Sequence, residues 1–299
     1  TEGILAQLLG NALSIDFAGG TEISYEVQAE EPAVGDVRSV LNQQGFANIR
    51  VGYKFSGATG MRMLEVVLPK TSTNDTATLN LGHLEQTLNQ KFPAAQLKQV
   101  QTSSVGNLVG AQFQLRAIWA AILAIVGIVV YISFRFEFAY AVASVVALIH
   151  DVVIAGGLFL LIGWFSGGRQ LSLPVVAALL TIIGYSLNDT IVVFDRIRED
   201  LSLNRGRNYN DIVNLSINQT LSRTTLTSLT TLLVVSTLFV FGGGAINDFA
   251  LVMLLGVVVG TYSSVFVASA LISVWHRSSR YHKEADSEKI GDKKAEVTA

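Results

Sequence analysis

Five apolar runs, each near the length needed to cross a bilayer, constrain the fold of this chain more than any other feature. They are Ala117–Phe134, Phe138–Phe165, Leu173–Phe194, Leu226–Phe241 and Phe249–Trp275. A helix needs roughly 17–25 residues to cross a hydrocarbon core about 30 Å thick. Inside lipid the backbone must satisfy its own hydrogen bonds, so runs of this kind form helices. An α-helical membrane bundle is therefore predicted. The fourth run is the shortest and is rich in Thr, whose hydroxyls can return to the helix backbone or reach a neighbouring helix. Composition agrees: 15% of residues are charged and 50% hydrophobic, where soluble domains carry about 25% charged residues. The charge is unevenly spread, with Thr1 to Leu115 polar and Arg116 to Trp275 dominated by apolar stretches.

Arginine in the short connections sets an orientation. The connection after the third run holds Arg196, Arg198, Arg205 and Arg207, and the tail begins with His276 and Arg277 and adds Arg280 and Lys283. The connections 166–172 and 242–248 hold one Arg between them. The Arg-rich side is predicted to be cytoplasmic, and an odd number of spans then puts the N-terminal domain outside. Within the cytoplasmic connection 195–223, Tyr209, Ile212, Val213, Ile217 and Leu221 recur at helical spacing, which predicts an amphipathic helix lying along the membrane.

The segment 14–115 is expected to be an extracytoplasmic head domain. An alternating strand Thr21–Gln28 leads to a helix Val34–Gln44 that ends at Gly45. Strands follow at Asn48–Ser56 and Met61–Pro69, joined by a turn at Gly57–Gly60, then a helix Thr78–Phe92 and a strand Gln96–Ser103. The order β-α-β-β-α-β is the ferredoxin-like α+β arrangement. Residues 116–275 are assigned to the bundle and 276–299 to a charged, disordered cytoplasmic tail. Residues 1–13 have no assigned role; Ile4, Leu5, Leu8 and Leu9 make at most a short amphipathic helix, without the basic start of a signal peptide. The first residue is Thr1, so the chain is expected to be a fragment, a processed form or a trimmed one.

Ionisable groups within membrane runs are costly and mark function by default. Three stand out: Asp151 in the second run, Asp189 in the third and Arg223 at the mouth of the fourth. Asp189 lies six residues inside Asp195, roughly 9 Å at about 1.5 Å per residue. Desolvation favours a neutral acid and a nearby guanidinium favours the carboxylate, so a competing pair can load and release a proton. The alternative is a static buried ion pair that fixes helix register. His150 beside Asp151 also allows a local hydrogen-bonding knot there. Asn188 and Thr190 flank Asp189, and Thr224, Thr227, Ser228 and Thr231 form a hydroxyl stripe beside Arg223, either a polar path or helix glue. Gly256 and Gly260 form a GxxxG face, which predicts close helix packing.

Several chemistries are set aside. With no cysteine there is no disulfide, thiolate metal site or cysteine nucleophile, and a net charge of −2 gives no basic footprint for nucleic acid. No zinc-protease motif or phosphate-cradling loop occurs. The run Gly184–Asn188 lacks the second glycine of a nucleophile elbow. His150 and Asp151 are adjacent, about 100° apart on a helix, which predicts that they form no orienting dyad. No metal, cofactor or enzymatic activity is expected.

The run Leu173 to Glu199, LPVVAALLTIIGYSLNDTIVVFDRIRE, resembles the SecF signature of the SecD/SecF family, within the RND superfamily. So do Asn218 to Thr231, Gly242-Gly243 and Gly260 to Ser264, while Ile15 to Glu22 looks like the motif that opens the family's head. The resemblance covers about Ser14 to Trp275. It implies a bacterial inner-membrane protein that pairs with SecD and uses the proton motive force to assist unfolded preproteins emerging from the SecYEG channel. It places the family's functional acid on Asp189 and its functional arginine on Arg223. It also implies six spans, the first just before the Ile-Asp-Phe motif; no such run precedes Ser14, which itself stands where the family usually has glycine. Two other classes remain open. Half of an RND small-molecule exporter should show two large porter domains, and a non-catalytic assembly protein would use Asp189 and Arg223 structurally.

Overall fold

The computed structural model describes residues 12–44, 46, 49–55, 62–68, 81–166, 169–204 and 207–276. The expected turn Gly57–Gly60, the N-terminal helix and the tail 282–299 lie outside the described residues. Two compact units divide the chain: Thr1–Leu123 with Ile154–Thr181 and Leu232–Leu255, and Ala124–Val153 with Ile182–Thr231 and Gly256–Ala299.

The first unit contains the head. A four-residue helix α1 (Ile15–Ala18) starts at Ser14, whose side chain accepts from the Asp16 amide, and ends at Gly19, where φ is 73°. Gly20 follows at φ 133°, a backbone that needs glycine and turns the chain into β1 (Gly20–Glu26). Next come α2 (Val34–Gln43), β2 (Arg50–Phe55), β3 (Arg62–Leu68), α3 (Leu81–Lys91), a 3-10 turn (Pro93–Ala95) and β4 (Lys98–Val105). The sheet order is β2-β3-β1-β4 with antiparallel neighbours, the ferredoxin-like order predicted from the strand pattern.

Side chains alternate across each strand. Ile23 and Tyr25 of β1, Val51 of β2 and Leu64 and Val66 of β3 therefore share one face, covered by Val37 and Leu41 of α2 and Leu84 and Leu88 of α3. Asn89 pins α3 to the start of β4: its Nδ2 donates to the Leu97 carbonyl and its Oδ1 accepts from the Leu97 amide, both at 2.8 Å.

Five long helices carry the apolar runs: α4 (Asn107–Arg135), α5 (Phe138–Ser166), α6 (Leu173–Leu203), α7 (Tyr209–Phe241) and α8 (Gly244–Ser263). The last continues through a π-helical turn at Ser264–Ala268, and the run Gly244–His276 is long and apolar enough to cross a membrane. α4 is the least covered, with Trp119, Leu123 and Phe134 exposed, as for a helix that faces lipid or another chain.

Two expectations change. The interfacial helix placed in 195–223 does not stand alone: α6 extends to Leu203, and Tyr209 to Leu221 form the first turns of the 33-residue α7. Part of the apolar stripe of that segment is buried, at Tyr209, Ile212 and Val213, and Tyr209 stacks on His276. The head's last strand also reaches further than predicted, to Val105, and α4 begins two residues later.

Candidate buried carboxylate site

The site belongs to the second unit and rests on how α6 meets its neighbours. Gly256 and Gly260 of α8 provide the close approach. A Cβ on Gly256 would lie 2.0 Å from Ile182 Cδ1, and one on Gly260 would lie 3.0 Å from Ser186 Cβ. Bare backbone at these two positions seats α8 on the α6 face that carries Ile182, Ser186 and Asp189, as small-residue faces do.

Asp151 of α5 is fully buried. Ser186 Oγ donates to its Oδ2 at 2.5 Å, and His150 Nδ1 lies 3.0 Å from its Oδ1. The expectation that the adjacent His150 and Asp151 form no orienting dyad is corrected to this extent: their side chains are in hydrogen-bonding contact. Helical spacing separates their Cβ directions, but rotation of the two side chains brings ring and carboxyl together. The arrangement is the hydrogen-bonding knot that His150 allowed. Thr190 is buried on the same face and donates to the Ser186 carbonyl at 3.1 Å.

Asp189, one turn beyond Ser186, is 3% exposed. Ser228 Oγ of α7 lies 3.4 Å from Asp189 Oδ2 and 2.6 Å from Thr261 Oγ1 of α8. Thr261 Oγ1 in turn lies 2.7 Å from the Val257 carbonyl. Three helices therefore meet in one chain of polar contacts that starts at a carboxyl and ends at a backbone carbonyl.

The other predicted residues lie outside this chain. Arg223 is exposed on α7 and makes no ion pair with Asp189 among the described residues. Thr227 is exposed and folds back onto the carbonyls of Arg223 and Thr224, at 3.1 and 2.9 Å. Asn188 is exposed on α6. The hydroxyl stripe thus divides: Thr224 and Ser228 turn inward and Thr227 outward.

Two features were missed from sequence. Thr261 completes the polar chain; its signal was a hydroxyl residue next to a helix-packing glycine, and the structure places it three residues before the π turn at Ser264–Ala268. Such turns often accompany functional positions. Asp200 near the end of α6 is 2% exposed and accepts from Ser216 Oγ of α7 at 2.7 Å, with Arg196 at 3.3 Å. It closes the α6–α7 hairpin and sits in the stretch 195–223, expected to be an amphipathic cytoplasmic connection. Among the described residues no group of three or more His, Asp or Glu is placed to hold a metal ion.

Fold and site together define a multi-pass membrane protein with a small βαββαβ head and buried carboxyls between its helices. The chain belongs to the SecD/SecF family of protein export membrane proteins, whose C-terminal family model matches residues 84–278. It is 42% identical over 292 residues to the protein translocase subunit SecF of Desulfurispirillum indicum, covering 96% of this chain and 88% of that one. It is 40% identical over 275 residues to the protein translocase subunit SecDF of Thermus thermophilus, covering 91% of this chain and 35% of that one. The crystal structure of SecDF from that organism, a translocon-associated membrane protein, superposes with a TM-score of 0.74 at 39% identity over 92% of this chain and 36% of the other. The function that goes with this membership is that of a SecF-like protein translocase subunit.

Proposed function

We propose that Asp189 is the proton-carrying group of this translocase subunit. In this reading the chain pairs with SecD, stands beside the SecYEG channel with its head outside the cytoplasmic membrane, and uses the proton motive force to assist unfolded preproteins.

A count of hydrogens supports the assignment of Asp189. The contacts Asp189–Ser228, Ser228–Thr261 and Thr261–Val257 require three protons, and the two hydroxyls supply two. When Asp189 carries a proton it donates to Ser228, Ser228 to Thr261 and Thr261 to the Val257 carbonyl, and every contact is satisfied. When Asp189 is a carboxylate, one contact loses its hydrogen and the chain must rearrange. Gain or loss of the proton is thereby tied to how α6, α7 and α8 meet. Arg223, one helix turn and a half before Ser228 on α7, supplies the positive charge that favours the carboxylate when the helices shift, and Asp151 with Ser186 forms a neighbouring acid on α5 and α6. Asn188, Thr190 and Thr227 are the supporting polar groups. One charge crossing the membrane is worth about 2.3 kcal/mol per 100 mV, so a few protons suffice for a rearrangement of several kcal/mol.

The test is proton-gradient-dependent secretion in a strain depleted of its own subunit, with membrane levels of each variant checked. Asp189→Asn keeps the shape, and its amide can supply the third hydrogen permanently; secretion should fall to the level of the depleted strain while the protein accumulates normally. Replacing Asp189 and Arg223 together by neutral residues should leave it dead. Normal secretion by Asp189→Asn, or rescue by the double substitution, would show that the two residues only brace the bundle.

A further inference from the structure

The sheet of a ferredoxin-like head has two faces, and α2 and α3 cover only one. Alternation puts Glu22 of β1, Lys54 of β2 and Glu65 of β3 on the other, because Ile23, Tyr25, Tyr53, Leu64 and Val66 face the helices. That second face is not left to solvent. Lys54 Nζ lies 2.7 Å from Glu65 Oε1, 3.9 Å from Glu22 Oε1 and 3.6 Å from Asp248 Oδ2, in the first two turns of α8. Arg169, in the connection between α5 and α6, donates to Asp248 Oδ1 at 2.5 Å and to Asn247 Oδ1 at 3.0 Å. The side chains are nearly closed off: Lys54 is 16% exposed, Glu65 10%, Arg169 13% and Asp248 3%. The connection is held tightly as well, since a Cβ on Gly163 would lie 2.7 Å from the Arg169 carbonyl.

We propose that Lys54 is a positioning residue that, with Arg169, latches the open face of the head's sheet onto Asp248 and so fixes the start of α8. All of these groups lie in one compact unit. The latch does not rest on the function proposed above.

A surface ion pair would be a poor anchor. A buried cluster differs, because removing one partner leaves another charge desolvated and uncompensated. The groups facing Lys54 are Glu22 and Glu65 from the sheet and Asp248 from α8; Arg169 faces Asp248 from the connection, and Arg50 of β2 faces Glu22. Burial pushes the Glu65 carboxyl up to about 8, against the pull of Lys54. The nearby carboxylates hold the Lys54 ammonium above its ordinary range, so it stays charged throughout the physiological window. Glu65 in the closed latch thus binds its proton more tightly than it would in water, where it titrates near 4.5. The closed state is favoured below that lower value and loses stability as pH rises toward about 8. Acid tightens the latch.

Amide hydrogen exchange on the full chain in lipid nanodiscs tests this without using secretion as the readout. In Lys54→Met the first turns of α8 and the β2–β3 pair should exchange at least about tenfold faster than in wild type, as for a broken buried pair. Lys54→Arg, which keeps the charge, should stay near wild type. Corrected for intrinsic rates, wild-type opening should increase from pH 6 to pH 9, and Glu65→Gln should flatten that profile. Wild-type exchange in Lys54→Met, or equal loss of protection in Lys54→Met and Lys54→Arg, would overturn the latch.

Discussion

Asp16 shows how a short motif acts through one bond. Its Oδ2 accepts from the amide of Leu173, the first residue of α6, at 2.9 Å. Helix starts leave four amides without intrahelical partners. In α6 the second residue is Pro174, which has no N–H, and Val176 bonds back to Ser172 at 3.0 Å. The Leu173 amide therefore depends on Asp16, 157 residues away in sequence. Ser14 and Leu171 pair beside it, with the Ser14 amide donating to the Leu171 carbonyl at 2.9 Å. Asp16→Ala should cost about 1 kcal/mol, as for a lost helix cap. The effect should appear as roughly fivefold faster exchange of the amides at the start of α6, with the head's strands unchanged. The sequence marks Asp16 only through its motif, because its partner is a backbone group brought near by the fold. Asp189 was legible for the opposite reason: a carboxyl within an apolar run is conspicuous wherever its partners are. That Asp189 meets Ser228 and through it Thr261, with no ion pair to Arg223 among the described residues, depended on which side each helix turns to its neighbours.

Between elements the controlling contact is α6 against α8. Gly256→Ala places a methyl group into Ile182, whose Cγ1 and Cγ2 would lie 2.3 and 2.9 Å from the new Cβ. Those atoms belong to a stiff β-branched side chain and cannot simply swing away. Gly256→Ala should therefore destabilise the bundle by about 1–3 kcal/mol, the usual cost of overpacking. Adding Ile182→Ala, which vacates that space, should recover part of the loss. Protease resistance and membrane level of the two variants measure it; equal damage in the single and double variants would mean that α8 is seated elsewhere. The five long helices were legible because a run of some twenty apolar residues has few other solutions. The continuity of α7 was not, because its first turns are amphipathic and its later turns apolar, and periodicity describes each window separately. The π turn at Ser264–Ala268 has no residue signature of its own. In the head, alternation showed which side chains share a face, but nothing local tells what covers the second face. That is why nothing in the sequence marks Lys54, Glu65 and Asp248 as partners.

At the scale of the whole molecule, the charge of the connections predicts which side of the membrane the head occupies. Four arginines cluster at the α6–α7 hairpin, Arg196 and Arg198 in the last turns of α6 and Arg205 and Arg207 between it and α7, whereas residues 166–172 and 242–248 hold Arg169 alone. Arg169 is moreover neutralised by Asp248. Short-loop Lys and Arg remain on the cytoplasmic side during insertion, so the α6–α7 connection should lie inside. Three long helices, α4, α5 and α6, separate the head from that connection, which puts the head outside. The chain has no cysteine, so single reporters can be introduced without background. Gln86 on α3 and Ser202 near the end of α6 are both exposed. In spheroplasts, Gln86→Cys should react with a membrane-impermeant maleimide, and Ser202→Cys should react only after the membrane is opened. The reverse pattern would put the head on the cytoplasmic side and overturn the orientation drawn from the arginines. Labelling of both from outside would mean that fewer than three of these helices cross.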